Sequence, residues 1–270
     1  MGNTLTGLAG FVLGSQDKAQ TPLVYFALLG LALIVAAGCV FNNYLDRDLD
    51  KKMARTKARP LSQGIISPQR ALLFAMILGS LGSFVLAYCT NLLTLYIALV
   101  GFVIYVLFYG LFKYHSMYAT EIGSIAGAVP PLIGYCAASA RLDGGALLLF
   151  FIVALWQMPH FFAIALFRMQ EYAAASIPVV PIVKGIYQTK VRILFYTLVF
   201  TAVAPLLSLC GYTGSIYLFS ALFLAIVWSA LAIRGFVTAT SPILWARMLF
   251  SFSLVVITAL SLLIIFDKAS

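Results

Sequence analysis

A short polar stretch, residues 42–50, carries three residues whose types and spacing could hold a metal ion. Asn42, Asp46 and Asp50 are each separated by four positions. On a helix this spacing stacks the three side chains along one face, roughly 6 Å apart per turn. Mg²⁺ prefers oxygen ligands and is usually held by one or two carboxylates together with substrate phosphate oxygens. The pattern therefore predicts a Mg²⁺–diphosphate site with Asp46 and Asp50 as the metal ligands and Asn42 as a ligand or an orienting group.

A basic segment follows at once and supplies partners for phosphate oxygens. Arg55 and Arg59 repeat at the interval of one helical turn, and Lys51 directly follows the acidic stretch. Arginine can bind phosphate bidentately and lysine as a point charge, so we expect these three cations to bind the diphosphate. Asp48 falls almost opposite the three-residue face, and we expect it to pair with Lys52. The competing interpretation is a helix end decorated with solvated ion pairs, which does not require the one-face spacing.

The elements that must position these residues are predicted to be transmembrane helices. The 270-residue chain is 63% hydrophobic and 9% charged, far more apolar than a soluble domain. Apolar runs of about 20 residues match the ~30 Å hydrocarbon core of a bilayer. We expect one all-α integral-membrane domain over residues 1–270, with the first fourteen residues as the far half of a helix whose beginning is missing. Eight full spans are predicted at about 22–41, 69–88, 92–112, 118–138, 145–165, 191–211, 214–233 and 245–266.

The distribution of basic residues predicts the orientation in the membrane. If the Asp-rich loop is cytoplasmic, fourteen of the seventeen Lys and Arg residues fall on that side, and only Lys18, Arg141 and Lys268 fall on the other. A net charge of +9 would suggest nucleic acid in a soluble protein, but topology and anionic lipid account for it here, so no nucleic-acid partner is expected. The two longest connections, about 42–68 and 166–190, lie on the cytoplasmic side, which predicts the active site there.

A second polar region lies in the later half of the chain. His160 sits inside an apolar span, one position after a proline that frees a backbone carbonyl about one turn earlier. Ionisable groups at membrane depth usually face a cavity or the bundle interior. His160 is therefore either a functional group, which ligates an iron porphyrin or moves a proton, or a neutral histidine bonded to the freed carbonyl. Arg168 and Glu171 follow at a spacing that would also suit a simple local ion pair.

These residues resemble a known family. The Asn42-x-x-x-Asp46-x-x-x-Asp50 pattern is similar to the first Asp-rich motif of the UbiA-like intramembrane prenyltransferases. That pattern alone would be only suggestive, whereas the combination of segments is specific, and the similarity runs from about residue 8 to 265. The segments that resemble one branch, the protoheme IX farnesyltransferases or heme O synthases, are 38–50, 55–59, 156–161, 177–185 and 245–250.

The resemblance implies nine helices around a central cavity open to lipid, with polar caps on the cytoplasmic side of a bacterial inner membrane. It implies farnesyl diphosphate as the donor, heme b as the acceptor, Mg²⁺ as the cofactor, and heme O and diphosphate as the products. A heme A synthase or a terminal oxidase is an implied partner. The implied site residues are Asn42, Asp46 and Asp50 for catalysis, Lys51, Arg55, Arg59, Arg168 and Lys184 for diphosphate, and His160, Glu171 and Tyr172 for the acceptor.

The sequence departs from the family pattern in two places. Many members carry a second full Asp-rich motif, whereas Glu171 is the only acid in that region here. Metal binding is therefore not expected on that side, and Arg168 or Lys184 would hold phosphate instead. The chain also starts late relative to the family, without most of the first helix that the resemblance implies.

Two other functions stay open at this point. An aromatic prenyltransferase that makes a quinone precursor would use the same donor chemistry with another acceptor. A non-catalytic heme transporter or oxidase-assembly protein would instead show ionisable residues at mid-membrane depth in several helices, together with two internal repeats. The sequence places little besides His160 at depth and places its acids at a helix end.

Overall fold

Helices account for most of the computed structural model, which describes residues 2–15, 21–53, 55–237 and 241–268. Within these residues the only β-structure is one isolated bridge, so the all-α fold class is confirmed. The helices are α1 Gly2–Gly14, α2 Thr21–Asp50, α3 Pro68–Cys89, α4 Leu92–Val103, α5 Gly110–Phe112, α6 Ala119–Gly127, α7 Val129–Ser139, α8 Gly144–Phe167, α9 Met169–Ala174, α10 Val180–Val183, α11 Gly185–Val203, α12 Leu206–Leu209, α13 Ser215–Val237 and α14 Pro242–Phe266, with a π-helical segment, Ile104–Tyr109, between α4 and α5.

Eight helical stretches in the described residues are long and apolar enough to cross a membrane, which confirms the eight predicted spans. The protein is therefore a multi-pass integral membrane protein, with α1 as a shorter additional helix. The spans are Pro22–Asp50, Pro68–Cys89, Leu92–Phe112, Ala119–Ser139, Gly144–Phe167, Gly185–Leu209, Ser215–Val237 and Pro242–Phe266.

The surface of the bundle is apolar, as a lipid-facing surface must be. On α13, Phe219 and Phe223 are 69% and 66% exposed, whereas Tyr217 and Trp228 on the opposite face are fully buried. A soluble bundle would expose charged side chains at the outward positions. Large aromatic side chains on the outside and close packing inside are stable together only if the surrounding medium is hydrocarbon.

Polar caps fix where several spans begin. The Ser67 hydroxyl, the Asn91 amide oxygen and the Asp143 carboxylate each accept a hydrogen bond from a backbone amide two or three positions on. Such contacts satisfy amide groups that have no partner within the helix. The caps hold the short connections in place, so that α3, α4 and α8 start at defined levels in the bundle.

The span predicted over residues 118–138 is divided in two. α6 ends at Gly127 and α7 begins at Val129, with Ala128 between them. Pro130 and Pro131 lack the amide hydrogens that a continuous helix would use, so the helix is interrupted just before them. The single span predicted here is therefore built from two helices. α7 packs closely along α1 and α4, which fixes the angle of the second half.

The long second helix positions the polar stretch. α2 has 30 residues, about 45 Å at 1.5 Å per residue, and exceeds the length needed to cross the hydrocarbon. Its apolar part ends at Phe41, and the helix continues without interruption through Asp50. α3 packs along it. Asn42, Asp46 and Asp50 are therefore held on a rigid helix rather than on a loop, at the end of a span.

Candidate active site

The end of α2 forms one wall of a cavity of about 460 Å³. Asn42, Asp46 and Asp50 all line it, as the spacing of four residues predicts. The opposite end of the cavity is apolar and is enclosed by residues of α2, α4 and α7. That apolar lining includes Leu31, Ile34, Ala98, Phe102, Val129 and Ile133. The cavity can therefore accept a molecule with a charged head and a hydrocarbon tail.

Asp46 is surrounded by donors. The Lys113 ammonium lies 2.5 Å from Asp46 Oδ1, and the Tyr114 hydroxyl donates to the same oxygen. Asn42 Nδ2 donates to Asp46 Oδ2 at 2.9 Å, while Asn42 Oδ1 accepts from Lys113 Nζ at 2.5 Å. Asn42 and Lys113 thus bond both to Asp46 and to each other. This triangle fixes the orientation of the carboxylate towards the cavity.

Lys113 belongs to a stripe of side chains that faces α2. Tyr105, Tyr109 and Lys113 all line the cavity, and the rings of Tyr105 and Tyr109 stack with centroids 5.7 Å apart. The Lys113 side chain is only 9% exposed and its ammonium lies 5.4 Å from the Tyr109 ring centroid. Burial lowers the pKa of the Lys113 ammonium, and the nearby Asp46 carboxylate opposes that change. The π-helical segment that carries both tyrosines is a type of distortion often found at functional sites.

Asp50 ends α2 and is held by the loop that follows. Its carboxylate is 5% exposed, and Arg59 Nη1 donates to Asp50 Oδ2 at 2.7 Å. The Thr56 hydroxyl donates to the Asp50 backbone carbonyl at 3.3 Å, and Met53 is buried beneath the loop. The described part of residues 51–67 forms turns rather than a helix. Arg59 therefore reaches the cavity because the loop folds back, not because the helix continues.

The opposite polar wall comes from the segment after α8. Tyr172 lines the cavity, and Arg168 Nη1 donates to Glu171 Oε1 at 3.0 Å. Burial raises the pKa of the Tyr172 phenol, and the positive charges of Arg55 and Arg168 partly offset that effect. The two basic groups that influence this phenol come from different loops. The two polar segments of the sequence therefore meet across the cavity.

The structure brings together six of the eleven predicted site residues and separates the others. The residues that line the cavity are Asn42, Asp46, Asp50, Arg55, Arg59 and Tyr172. The residues outside its lining are Lys51, His160, Arg168, Glu171 and Lys184. Lys51 is exposed and lies 3.0 Å from Asp48, so Asp48 pairs with Lys51 rather than with Lys52 as predicted. Lys51 follows directly on the last residue of α2 and lies three positions after Asp48, a spacing that brings the two side chains together.

His160 belongs to α8 and lies at the interface with α14 rather than in the cavity lining. Its Nδ1 is 2.7 Å from the Ser253 hydroxyl, and not bonded to the carbonyl that Pro159 frees. The ring stacks on Trp156 with centroids 4.8 Å apart and lies 4.9 Å from the Phe250 ring. Ser253 and Phe250 both belong to α14, so these two contacts join the two helices. His160 therefore holds α8 to α14, and the neighbouring turn of α8 carries the residues that reach the cavity.

The sequence matches the UbiA prenyltransferase family over residues 3–258. The chain belongs to the UbiA prenyltransferase family. It is therefore a transferase, which agrees with a cavity that combines a polar head region and an apolar tail region.

Relatives with assigned activities match this prenyltransferase over its whole length. The protoheme IX farnesyltransferase of Protochlamydia amoebophila (strain UWE25) is 49% identical over 267 residues, which cover 99% of this chain and 94% of that protein. The protoheme IX farnesyltransferase of Cronobacter sakazakii (strain ATCC BAA-894) is 48% identical over 267 residues, which cover 98% of this chain and 90% of that protein.

Solved structures share the fold. A digeranylgeranylglyceryl phosphate synthase matches with a TM-score of 0.81 at 18% identity, over 98% of this chain and 92% of that one. A UbiA homolog from Archaeoglobus fulgidus bound to GPP and Mg²⁺ matches with a TM-score of 0.68 at 17% identity, over 98% of this chain and 95% of that one. At these identities the similarity establishes the fold alone.

The side chains on the cavity wall of this prenyltransferase include oxygen ligands suited to Mg²⁺, but too few of them to hold the ion without a substrate. Within the described residues, no three His, Cys, Asp or Glu side chains cluster in a way that could hold a metal. Asp46 and Asp50, with the amide oxygen of Asn42 nearby, nevertheless offer hard oxygen ligands along one cavity wall. Mg²⁺ needs only one or two carboxylates when substrate phosphates complete its shell. The residues therefore fit a metal that binds together with a diphosphate.

Sequence reasoning missed Lys113 and Tyr114 as members of the site. Both contact Asp46, which is 67 or more positions earlier in the chain. The sequence did contain a usable signal. Tyr105, Tyr109 and Lys113 recur every four residues, and Lys113 is the only Lys or Arg in the short connection 113–118. A polar stripe that leads to a lone cation on an otherwise apolar helix indicates a buried partner of opposite charge.

We expect Ser253→Ala to destabilise the prenyltransferase by about 1–3 kcal/mol, because it leaves the buried Nδ1 of His160 without its partner. Thermal unfolding in detergent, followed by circular dichroism, measures the effect. Ser251→Ala is the matched control, since Ser251 lies on the same helix and is exposed. Equal unfolding temperatures for the two variants would show that the His160–Ser253 contact does not stabilise the bundle.

Proposed function

We propose that this prenyltransferase transfers a farnesyl group from farnesyl diphosphate to a vinyl group of heme b, with addition of water, to give heme O and diphosphate. The observation that carries the proposal is a single cavity in which a wall of oxygen ligands and cations continues into an apolar chamber. The names of relatives that are 48–49% identical over nearly the full chain support farnesyl as the donor group and protoheme IX as the acceptor.

The diphosphate would bind at the polar end of the cavity. We assign Arg55 and Arg59, which line the cavity, to its phosphate oxygens, because guanidinium groups pair bidentately with phosphate. Lys51, Arg168 and Lys184 lie outside the lining, and we assign them a longer-range role in attracting the anionic donor. Asn42 would orient the carboxylate of Asp46, one helical turn further along α2.

Asp46 and Asp50 would hold Mg²⁺ against the diphosphate. When bound, that ion neutralises the negative charge that develops on the leaving group. The side chains of the protein already provide the rest of the arrangement. The two carboxylates are held in place before the donor binds by neighbouring hydrogen-bond donors, Lys113 at Asp46 and Arg59 at Asp50.

The reaction would start with cleavage of the allylic C–O bond, and diphosphate would leave with the electron pair. The farnesyl cation that remains is delocalised, and the faces of Phe102, Tyr105 and Tyr109 on the cavity wall can stabilise it. The π electrons of a heme vinyl group would form the new C–C bond. Water would then add to the cation on the porphyrin side and release one proton. The apolar chamber must exclude water before that step, because early capture would give farnesol.

The acceptor would approach from the wall opposite α2. Tyr172 faces the cavity there and is the residue that we assign to contact with heme. Glu171 and His160 lie behind that wall and would support it, Glu171 through Arg168 and His160 through Ser253.

We propose that the polar end of the cavity lies on the cytoplasmic side of a bacterial inner membrane, because the basic residues are concentrated in the loops on that side. A heme A synthase or a terminal oxidase would receive the product.

One reconstitution tests the proposal. Purified protein in nanodiscs with farnesyl diphosphate, heme b and Mg²⁺ is expected to yield heme O, identified by mass spectrometry. Chelation with EDTA should abolish the product, and excess Mg²⁺ should restore it. Prenylation of a hydroxybenzoate acceptor in place of heme would instead indicate a quinone-precursor prenyltransferase. Tight heme binding without any product would indicate a transporter or an assembly protein.

A further inference from the structure

One cation in the cavity contacts oxygen atoms of two residues that would hold the metal ion. Lys113 Nζ lies 2.5 Å from Asn42 Oδ1 and 2.5 Å from Asp46 Oδ1. The ammonium thus bridges oxygens of two of the three residues on the α2 face. Arg59 is different, because it contacts only Oδ2 of Asp50, and Asp50 Oδ1 makes no hydrogen bond within the described residues. Lys113 is therefore the cation that bridges Asn42 and Asp46, whereas Arg59 contacts Asp50 alone.

We infer that Lys113 is a resident cation that holds Asn42 and Asp46 together until a divalent metal and a diphosphate displace it. The inference rests on the proposed function, because it assumes that Asp46 is a metal ligand. Mg²⁺ binds oxygen at about 2.0–2.1 Å and would need lone pairs that the ammonium now occupies. A divalent ion and an ammonium repel each other strongly at such short range in a buried site. Binding of the metal at Asp46 therefore requires Lys113 to move.

Burial explains why the site contains such a cation. The Asp46 side chain is 16% exposed and lies among Tyr109, Tyr114 and the α2 helix. An ionised carboxylate in such surroundings is costly unless a positive charge lies close to it. Lys113 supplies that charge, itself only 9% exposed. The Asp46 carboxylate therefore has a buried positive partner and a fixed orientation before any substrate arrives.

Displacement of Lys113 would couple metal binding to donor binding. The ammonium is attached to the cavity wall through a flexible chain, and once released from Asp46 it needs a new anionic partner. The phosphate oxygens of the donor are the anions that the proposed function brings to this cavity. The metal alone should therefore bind weakly, whereas the metal and the diphosphate should each strengthen the binding of the other. Such coupling would keep the site from binding either the metal or the diphosphate tightly when the other is absent.

Mn²⁺ binding to the wild-type protein and to Lys113→Met tests the inference directly. Free Mn²⁺ is measured by electron paramagnetic resonance at matched free concentrations, with and without pyrophosphate. Without pyrophosphate, we expect Lys113→Met to bind Mn²⁺ roughly tenfold more tightly than the wild-type protein, because the competing charge is gone. Pyrophosphate should tighten Mn²⁺ binding about tenfold or more in the wild type and much less in the variant.

Two further variants separate displacement from a general structural effect. Tyr114→Phe removes the other donor to Asp46 Oδ1 but keeps the ammonium, so Mn²⁺ should remain weakly bound. Lys113→Gln removes the charge with a polar side chain and serves if Lys113→Met fails to fold. In the farnesyl transfer assay, either neutral variant should show a lower KM for Mg²⁺ together with a lower kcat. A purely structural role would weaken metal binding and turnover together.

The outcomes distinguish the inference from the function on which it rests. If the wild-type protein binds Mn²⁺ in the presence of pyrophosphate, and the neutral variants bind it no more tightly without pyrophosphate, Lys113 does not compete with the metal and the inference is wrong. The same holds if pyrophosphate leaves the wild-type affinity for Mn²⁺ unchanged. If no Mn²⁺ binds to the wild-type protein under any condition, the proposed metal site is wrong, and the inference fails with it.

Discussion

Asp46→Asn and Asp50→Asn are each expected to lower the turnover of farnesyl transfer by roughly 10²–10³-fold or more, while heme binding is largely retained. Each substitution removes one of the negative charges that would hold Mg²⁺ against the departing diphosphate, and charge stabilisation of this kind is commonly the largest single contribution to catalysis. Size and shape are preserved, so packing at the end of α2 should change little. Heme O formation, read by mass spectrometry, and heme absorbance titrations measure the two effects separately.

Asp48→Asn is the matched control for these variants. Asp48 belongs to the same acidic stretch, but its side chain is 68% exposed and pairs with Lys51 outside the cavity. An exposed ion pair of this kind contributes little to stability. The control should therefore keep near-normal turnover. Near-normal heme O production by Asp46→Asn or Asp50→Asn would count heavily against the proposed site, and equal losses in all three variants would point to a general effect of charge.

Local periodicity made the α2 wall predictable from the sequence. A spacing of four residues puts Asn42, Asp46 and Asp50 on one face of any helix, whatever the helix packs against. The hydropathy of the spans predicts the membrane fold for the same reason, since length and composition are local properties. The paired prolines at 130 and 131 likewise act on the span that contains them, which the structure divides into α6 and α7.

Contacts between distant segments could not be predicted in this way. Lys113 reaches Asn42 across 71 positions of the chain, and His160 reaches Ser253 across 93. These contacts depend on which helices are neighbours and on how they are rotated, and neither property is encoded in a local pattern. One of the two interpretations of His160 placed its polar partner within its own helix, whereas the structure provides that partner from α14.

The position at which α2 ends determines which residues of the basic segment line the cavity. Arg55 and Arg59 repeat at the interval of one helical turn, but α2 ends at Asp50 and turns begin at Lys51. Helix ends are the least reliable feature of any reading of a sequence, because capping and loop packing decide them. Buried Met53 folds the loop back so that both arginines line the cavity, whereas Lys51 is left outside it. The packing of this loop, rather than helical spacing, therefore determines which of the predicted cations reach the cavity.

Gly134→Ala is expected to destabilise the bundle by about 1–3 kcal/mol or more, because a new methyl group would enter a space already occupied by backbone. A Cβ at Gly134 would collide with the backbone carbonyl of Gly7 on α1, and a Cβ at Gly10 would collide with the carbonyl of Pro131 on α7. Backbone cannot move aside as a flexible side chain can. Thermal unfolding in detergent should show the loss for either alanine variant.

Gly79→Ala is the control, because it makes the same change in a helix where space is available. A Cβ at Gly79 would lie 3.7 Å from the Ala37 Cβ, an ordinary contact, and alanine favours the helix by up to ~1 kcal/mol. This variant should unfold at an equal or higher temperature. α1 also contributes Asn3 to the cavity lining, so a separation of α1 from α7 in Gly134→Ala should reduce farnesyl transfer as well. If Gly134→Ala unfolds like Gly79→Ala, the small residues do not bring α1 and α7 together, and the position of α1 beside the cavity has another cause.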